Sequence, residues 1–427
     1  MFKWIIWLWN LLKRLFGMGR KLDLPSTAKL MQEDSVLSDS IQPAGDITPP
    51  NRAENILLIG ATGIVGPHLL RYLLDNTKAN IYCLVHHRHG ELAKNYLLTQ
   101  LERDGLDKHI DHSRIHVVHG NIAEKKFGLN VETYQFLAQT IDIIFHNAAW
   151  TNHVRPYSEG ENKQADIRQT NALSLHRTLA LAAKYKTKLV NFTSTIGAIN
   201  RIDLDGCLVE ELPEPDNQGD RLHIGYLQSK FVAEKLIFQA IERGLPCRVF
   251  RLGQITGDSK TGVQHAEKDH MMLELKACAQ MGIAPDWPDA RSFVPSDIAA
   301  SIIGSIGLQT HAKSGAYNIN NPHLVSWLEI IDALNRFDHK VEVIPEKEWV
   351  EAFSAIDESN ALYPLRAAYE APGTFAKLMP AVRLMFNHHI HCERTMQAIE
   401  QTDIKFPNSS MLLEKYLNYF NETGFFS

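Results

Sequence analysis

The sequence is poor in cysteine: five residues in 427 (Cys83, Cys207, Cys247, Cys278 and Cys392), an odd number without CxxC spacing. That excludes a disulfide framework and suits a reducing compartment with free, mostly buried thiols. An excess of one charge is also lacking. A formal net charge of −5 gives no reason to expect nucleic acid as a partner. The twenty histidines fall into no HExxH or paired Cys/His pattern, so no metal is implied. His86, His87, His89, His388 and His389 read as solvated or core histidines rather than as metal ligands. Internal repeats are absent. With 44% hydrophobic and 22% charged residues, the chain carries enough apolar side chain for a substantial core and is not disordered in composition.

Residues 1–21 contain three tryptophans and no acid. On a helix, Lys3, Asn10, Lys13, Arg14 and Lys21 form one polar stripe, and Trp4, Ile5, Leu8, Leu11, Leu12, Leu15 and Phe16 fill the other side. The apolar stretch is broken at Asn10 and Lys13 and falls short of the roughly 20 residues that cross a bilayer. No small-x-small cleavage site follows, so a secretory signal is not expected. An amphipathic helix in a membrane interface fits best, which makes the protein cytoplasmic and peripheral on a membrane. A helix packed on the protein's own body or on a partner subunit stays open. Residues 22–54 are polar and proline-bearing and read as a linker with one short helix around Thr27 to Leu37.

The pattern then changes. Asn55–Gly60 is an apolar run ending in glycine, as expected of a buried parallel strand. Further strands are expected at Asn80–Val85, Ile115–Val118, Ile141–His146, Lys188–Phe192 and Cys247–Leu252. Helices are expected over Gly66–Asn76, Asp166–Tyr185 and Gly225–Arg243. Strands alternating with helices predict an α/β fold, a Rossmann-like doubly wound parallel sheet over residues 55–260. Residues 261–427 are helix-rich and predict a smaller C-terminal substrate-binding subdomain, with segments returning to the sheet.

Three signals carry chemistry. Gly60-Ala61-Thr62-Gly63-Ile64-Val65-Gly66 lies between a strand and a helix. Its glycines serve the tight turn, the close approach of a pyrophosphate and the helix–sheet contact. Amide groups at the helix start face the phosphate anion, so a dinucleotide is expected. An NAD site would place Asp or Glu at the end of the second strand. Here Leu84-Val85-His86-His87-Arg88-His89 offers no acid, and His86 and Arg88 can accept a 2′-phosphate, so NADPH is favoured over the alternative of a solvated basic loop. The second signal is Tyr226 and Lys230, four apart on one helix face. A neighbouring ammonium is expected to favour phenolate and bring the tyrosine towards its working range. The third is Thr193-Ser194-Thr195, expected just beyond the fifth strand at the carboxyl edge where ligands bind. Asn147-Ala148-Ala149 adds a small-residue edge that a cofactor can approach.

These segments resemble the thioester reductase family of extended short-chain dehydrogenases. The family comprises terminal reductase domains of peptide synthetases and carboxylic acid reductases, and is related to fatty acyl reductases. The resemblance rests on GATGIVG, HNAAWTN with Pro156-Tyr157, TST, GYLQSK, Arg251–Gly262 (RLGQITGDSKTG) and Val294–Asp297 (VPSD). It runs from about Met31 to the C-terminus. It implies a catalytic set of Thr195, Tyr226 and Lys230, with Thr195 preferred over Ser194 as the second residue of the family's Ser-Thr pair. It implies cofactor contacts from Gly60, Thr62, Gly63, Ile64, Val65, Gly66, His86, Arg88, Asn121, Ile122, Asn147, Ala148, Ala149, Asn171 and Lys230. Substrate contacts are implied for Ser194, Trp150, Asn152 and Gly253. The chain departs from the family at His86, where arginine is usual, at Asn121-Ile122 and at Leu252. The implied activity is NADPH-dependent reduction of an acyl thioester, on coenzyme A or a carrier protein, to an aldehyde or alcohol. The apolar leader adds a preference for a lipid-like acyl chain. Two alternatives remain, a nucleotide-sugar epimerase or dehydratase (or a sterol or alcohol dehydrogenase) and a redox-sensing binding module.

Overall fold

The computed structural model describes residues 27–86, 93–152, 155–160, 166–198, 224–366 and 390–426. The expected leader helix, Arg88 and Cys207 lie outside them. No helix among the described residues is long and apolar enough to cross a membrane.

Seven parallel strands form the main sheet. They are β1 (Asn55–Ile59), β2 (Asn80–Val85), β3 (Ile115–His119), β4 (Ile143–His146), β5 (Leu189–Thr195), β6 (Cys247–Leu252) and β7 (Gly315–Ile319). Their spatial order is β7-β6-β5-β4-β1-β2-β3. The order reverses between β1 and β4, and that crevice is where open parallel sheets bind ligands. β1 is central and buried on both faces, which explains an unbroken apolar run in place of alternation.

Alternate β1 side chains feed two cores. Ile56 and Leu58 join Leu69, Leu70 and Leu73 of α2 (Gly66–Asn76), with Ala299 and Ile303 of a later helix at Ser296–Leu308. Leu57 and Ile59 join the opposite layer, which contains Leu137, Leu179 and Leu236. Each fully buried aliphatic side chain contributes about 1.5–3 kcal/mol before entropy is subtracted. The intervening helices are α3 (Ala93–Arg103), α4 (Val131–Thr140), α5 (Leu173–Ala182) and α6 (Gly225–Glu242). The helix expected from Asp166 opens instead as a single π turn, Arg168–Ala172.

The fifth strand is longer than its expected end at Phe192. It includes Thr193-Ser194-Thr195, which pair with Phe250, Arg251 and Leu252 of β6. β-Branched threonines suit a pleated strand, so the hydroxyl run belongs to the sheet itself.

The linker expected over 22–54 is docked from Thr27 onward. α1 (Thr27–Asp34) rests on α6, and Met31, Leu37 and Ile41 are buried. Asp34 accepts from Tyr157 Oη at 2.6 Å, Arg168 Nε at 2.6 Å and Arg168 Nη2 at 2.7 Å. From α6, Arg243 donates to the carbonyls of Leu37, Ser38 and Ile41. This strap ties the start of the chain to the helix that carries Tyr226 and Lys230.

Beyond β6 the chain builds a third core around Trp287, Trp327 and Trp349, closed by Tyr416 and Phe420 of the C-terminal helix Ser409–Thr423. The helix at Ser296–Leu308 and β7 return from this part to the main sheet.

Candidate active site

Two strand ends meet at the switch point. Gly60 follows β1 with φ +93°, and a Cβ there would lie 2.5 Å from the Ala148 nitrogen and 2.8 Å from the Asn147 carbonyl carbon. Asn147 N–H donates to the Ile59 carbonyl at 2.8 Å. A Cβ on Gly66 would overlap the Gly60 carbonyl oxygen. Both glycines are therefore required by the protein's own backbone. Gly63 differs: a Cβ there would meet only the Gly60 carbonyl oxygen, at an ordinary 3.7 Å, and its φ is not in the left-handed region. Nothing among the described residues demands glycine at 63. Its bareness fits a ligand backbone lying on the loop, so these residues fit a dinucleotide pyrophosphate at the start of α2.

The expected catalytic side chains converge at the same edge. The Thr195 side chain interacts with the Tyr226 hydroxyl and favours its ionised form. Thr195 Oγ1 also reaches the Leu252 carbonyl at 3.4 Å. Lys230 Nζ donates to the Thr193 carbonyl at 2.6 Å and sits 4.6 Å from the Phe192 ring centroid. Electrostatics correct one expectation. Tyr226 is not drawn down by an ammonium: burial raises its pKa, and the Thr195 bond opposes this in part. Its phenol therefore stays protonated at neutral pH. Burial also lowers Lys230 to about 7, against the pull of Glu234. His146, behind them on β4, is lowered to about 3 by burial and then by Lys230, and is neutral.

Several of the expected contact residues also have partners within the protein. Ser194 alternates to the opposite side of β5 from Thr195, and its hydroxyl donates to buried Glu234 Oε1 at 2.5 Å rather than to a substrate. Asn171 was expected at the cofactor. Its Oδ1 accepts from Trp150 N–H at 2.8 Å and its Nδ2 donates to Ser229 Oγ at 2.9 Å, so it braces the Trp150 loop against α6. Asn121 closes its own turn, accepting from Ala123 N–H at 3.0 Å and donating to Glu124 at 2.9 Å. The Ile122 carbonyl accepts from Arg177 at 2.9 Å.

The remaining expected residues line the rim. Thr62 and Ile64 are partly or largely exposed on the glycine loop, whereas Val65 is buried. His86 is exposed at the end of β2. Ala148, Ala149 and Trp150 are half-buried, with the Arg155 guanidinium 4.9 Å from the Trp150 ring centroid. Asn152 Oδ1 accepts from Arg155 N–H at 2.9 Å. Gly253 N–H donates to the Ile319 carbonyl at 2.8 Å, beside Leu252 at the catalytic edge.

The sequence reading missed Glu234 and its partner Arg251, although Glu234 follows Lys230 by one helical turn. It also missed Gly225, which starts α6 against the backbone of Arg155–Tyr157, where a Cβ would lie 2.6 Å from the Arg155 carbonyl oxygen.

Comparison with known proteins agrees with this architecture. The family model described as "Male sterility protein", an NAD-binding family, matches residues 58–303. A linear gramicidin synthase of Brevibacillus parabrevis is 32% identical over 409 residues, 93% of this chain and 8% of that protein. The L-2-aminoadipate reductase of Eremothecium gossypii is 33% identical in its large subunit over 343 residues, 76% of this chain and 24% of that protein. The chain thus spans less than a quarter of the length of either relative. The crystal structure of the terminal R domain from the myxalamid PKS-NRPS biosynthetic pathway superposes with a TM-score of 0.81 at 28% identity, covering 94% of this chain and 99% of that one.

Proposed function

Because this chain belongs to the thioester reductase family, oxidoreductases built on a nicotinamide-binding sheet, we propose that it reduces an acyl thioester with NADPH. The observation that carries the reading is the interaction of the Thr195 side chain with the Tyr226 hydroxyl, one helical turn before Lys230, in a sheet whose first strand leads into the bare Gly63 loop. The acyl group is presented on a carrier protein or on coenzyme A. NADPH, when bound, supplies the hydride.

Thr195 and Tyr226 hydrogen-bond the thioester carbonyl oxygen and stabilise the charge that develops on it. The phenol, kept protonated by burial, donates its proton to that oxygen. The resulting hemithioacetal collapses to aldehyde and free thiol. Lys230 holds the nicotinamide ribose and steadies the phenol. His86, with Arg88 two residues further along, favours a 2′-phosphate because no carboxylate stands at the end of β2.

Residues 1–21 are proposed to hold the enzyme at a membrane surface, which suits a lipid-like acyl chain. Acyl-CoA and acyl-carrier thioesters of several lengths, assayed with NADPH and NADH and with product analysis, test the activity. Tyr226→Phe is expected to abolish turnover and leave cofactor binding intact. Turnover of a nucleotide sugar, with no NADPH oxidation on any thioester, would sink the reading. Deleting residues 1–21 is expected to release the protein from membranes without loss of activity on a soluble thioester. Continued pelleting with membranes refutes the anchor.

A further inference from the structure

Behind the catalytic edge lies a buried ion pair that takes no part in the steps above. Glu234 and Arg251 are both fully buried. Arg251 Nη2 donates to Glu234 Oε2 at 2.6 Å, and Nε lies 3.1 and 3.0 Å from the two carboxylate oxygens. Ser194 Oγ donates to the same carboxylate at 2.5 Å. One carboxylate therefore joins α6, β5 and β6 at the level of the site. Burying two charges costs several kcal/mol each in lost hydration, and apolar residues of equal volume often hold a fold as well. Stability alone is a weak reason to place this pair here.

Its neighbours supply a better one. Ser194 precedes Thr195, Arg251 precedes the Leu252 carbonyl that Thr195 touches, and Glu234 lies one turn after Lys230. We propose that Glu234, clamped by Arg251, is a positioning residue that holds Ser194 to the rear of β5, so that Thr195 faces Tyr226, and provides the counter-charge to the Lys230 ammonium. This rests on the assignment of Thr195, Tyr226 and Lys230 made above.

The groups around Lys230 show what the counter-charge does. Tyr226 and Glu234 face it from α6, the Thr193 carbonyl and Phe192 ring from β5, and neutral His146 from β4. Arg251 of β6 stands beyond Glu234. Glu234 is the charge that opposes the effect of burial on Lys230, which otherwise falls towards the neutral amine. The ribose-holding role given to Lys230 uses its ammonium donors, so activity is lost as pH rises through the Lys230 pKa. Removing the charge at 234 lowers that pKa and brings the loss to lower pH.

The test is the pH profile of kcat/KM for the full chain with an acyl thioester and NADPH. Glu234→Gln keeps the volume and an acceptor for Ser194 but drops the charge. Its descending limb is expected to move acidward by about one pH unit, roughly a tenfold loss on the alkaline side and little change on the acid side. Glu234→Asp, which keeps the charge, is expected to restore the limb at reduced kcat. A purely structural role would scale the whole profile without moving it, and superimposable limbs for wild type and Glu234→Gln overturn the proposal. If Glu234→Gln does not fold, Ser194→Ala decides, because it leaves the ion pair intact. A fall in kcat with unchanged cofactor affinity supports the positioning role, and an unchanged kcat overturns it. Undiminished turnover by Tyr226→Phe would instead overturn the reading of the site itself.

Discussion

Asp34→Ala cuts the strap from the catalytic body at one point. The carboxylate accepts three hydrogen bonds, two from Arg168 and one from Tyr157, and is 8% exposed. Removing one partner of a buried pair typically costs about 3–5 kcal/mol, because the other charge is left uncompensated. The Arg168 side chain is 21% exposed and can recover some hydration, which reduces the expected loss to about 2–4 kcal/mol. The strap touches α6 through Met31 and Phe231, so the loss appears as undocking of residues 27–41 before the sheet melts. Amide hydrogen exchange over those residues is the assay, in urea rather than guanidinium so that the ion pair is not screened. Arg168→Met and the double variant complete a cycle, with a coupling energy above about 1 kcal/mol expected. Unchanged exchange in Asp34→Ala, or a coupling energy near zero, would show that the strap is held by its apolar residues alone.

Gly63→Ala is expected to leave thermal stability unchanged, since the added Cβ meets only an ordinary contact, and to weaken NADPH binding tenfold or more. Gly66→Ala should instead lower stability, because its Cβ overlaps the Gly60 carbonyl; calorimetry with a cofactor titration separates the two. Lys188 is fully buried, and burial lowers it to about 7, with Lys186 adding to the shift and Asp142 opposing it. Its folded value is depressed, so between pH 7 and 9 the unfolded chain holds the proton that the folded chain has shed. Stability should rise across that window. Urea midpoints at pH 7, 8 and 9 should show this rise in the wild type and a smaller one in Lys188→Met; equal slopes contradict the assignment.

What could be read from the sequence was whatever local chemistry dictates. The glycine spacing at 60, 63 and 66 and the apolar run of β1 carry their reasons within a few residues. The strap does not. Leu37 and Ile41 lie in a polar, proline-bearing stretch, and their burial depends on Arg243 and Gln239, about two hundred residues away. The resemblance preferred Thr195 to Ser194 without a physical reason; the end of β5 supplies one, since alternation along the strand puts the two hydroxyls on opposite faces. Spacing placed Lys230 near Tyr226 but could not reveal how deeply both are buried, so the direction of the tyrosine shift came out reversed. Asn121 and Asn171 have the residue type of ligand contacts, and the sequence could not show that their amides also bond nearby backbone and side chains.

β6 acquires its outer neighbour late. Ile319 of β7 follows Leu252 by about 67 residues, which at synthesis rates of roughly 5–20 residues per second leaves β6 as an open edge for about 3–13 s. In the finished protein Arg248 of that strand donates to the carbonyls of Ile306, Gln309 and Ala312, all of them made later than the strand. Until those carbonyls exist, Arg248 adds to Arg251 a second charge in an otherwise apolar strand, the kind of residue that discourages edge-to-edge association. In the folded protein Arg248 thus ties β6 to the end of the helix at Ser296–Leu308 and to the segment that leads into β7.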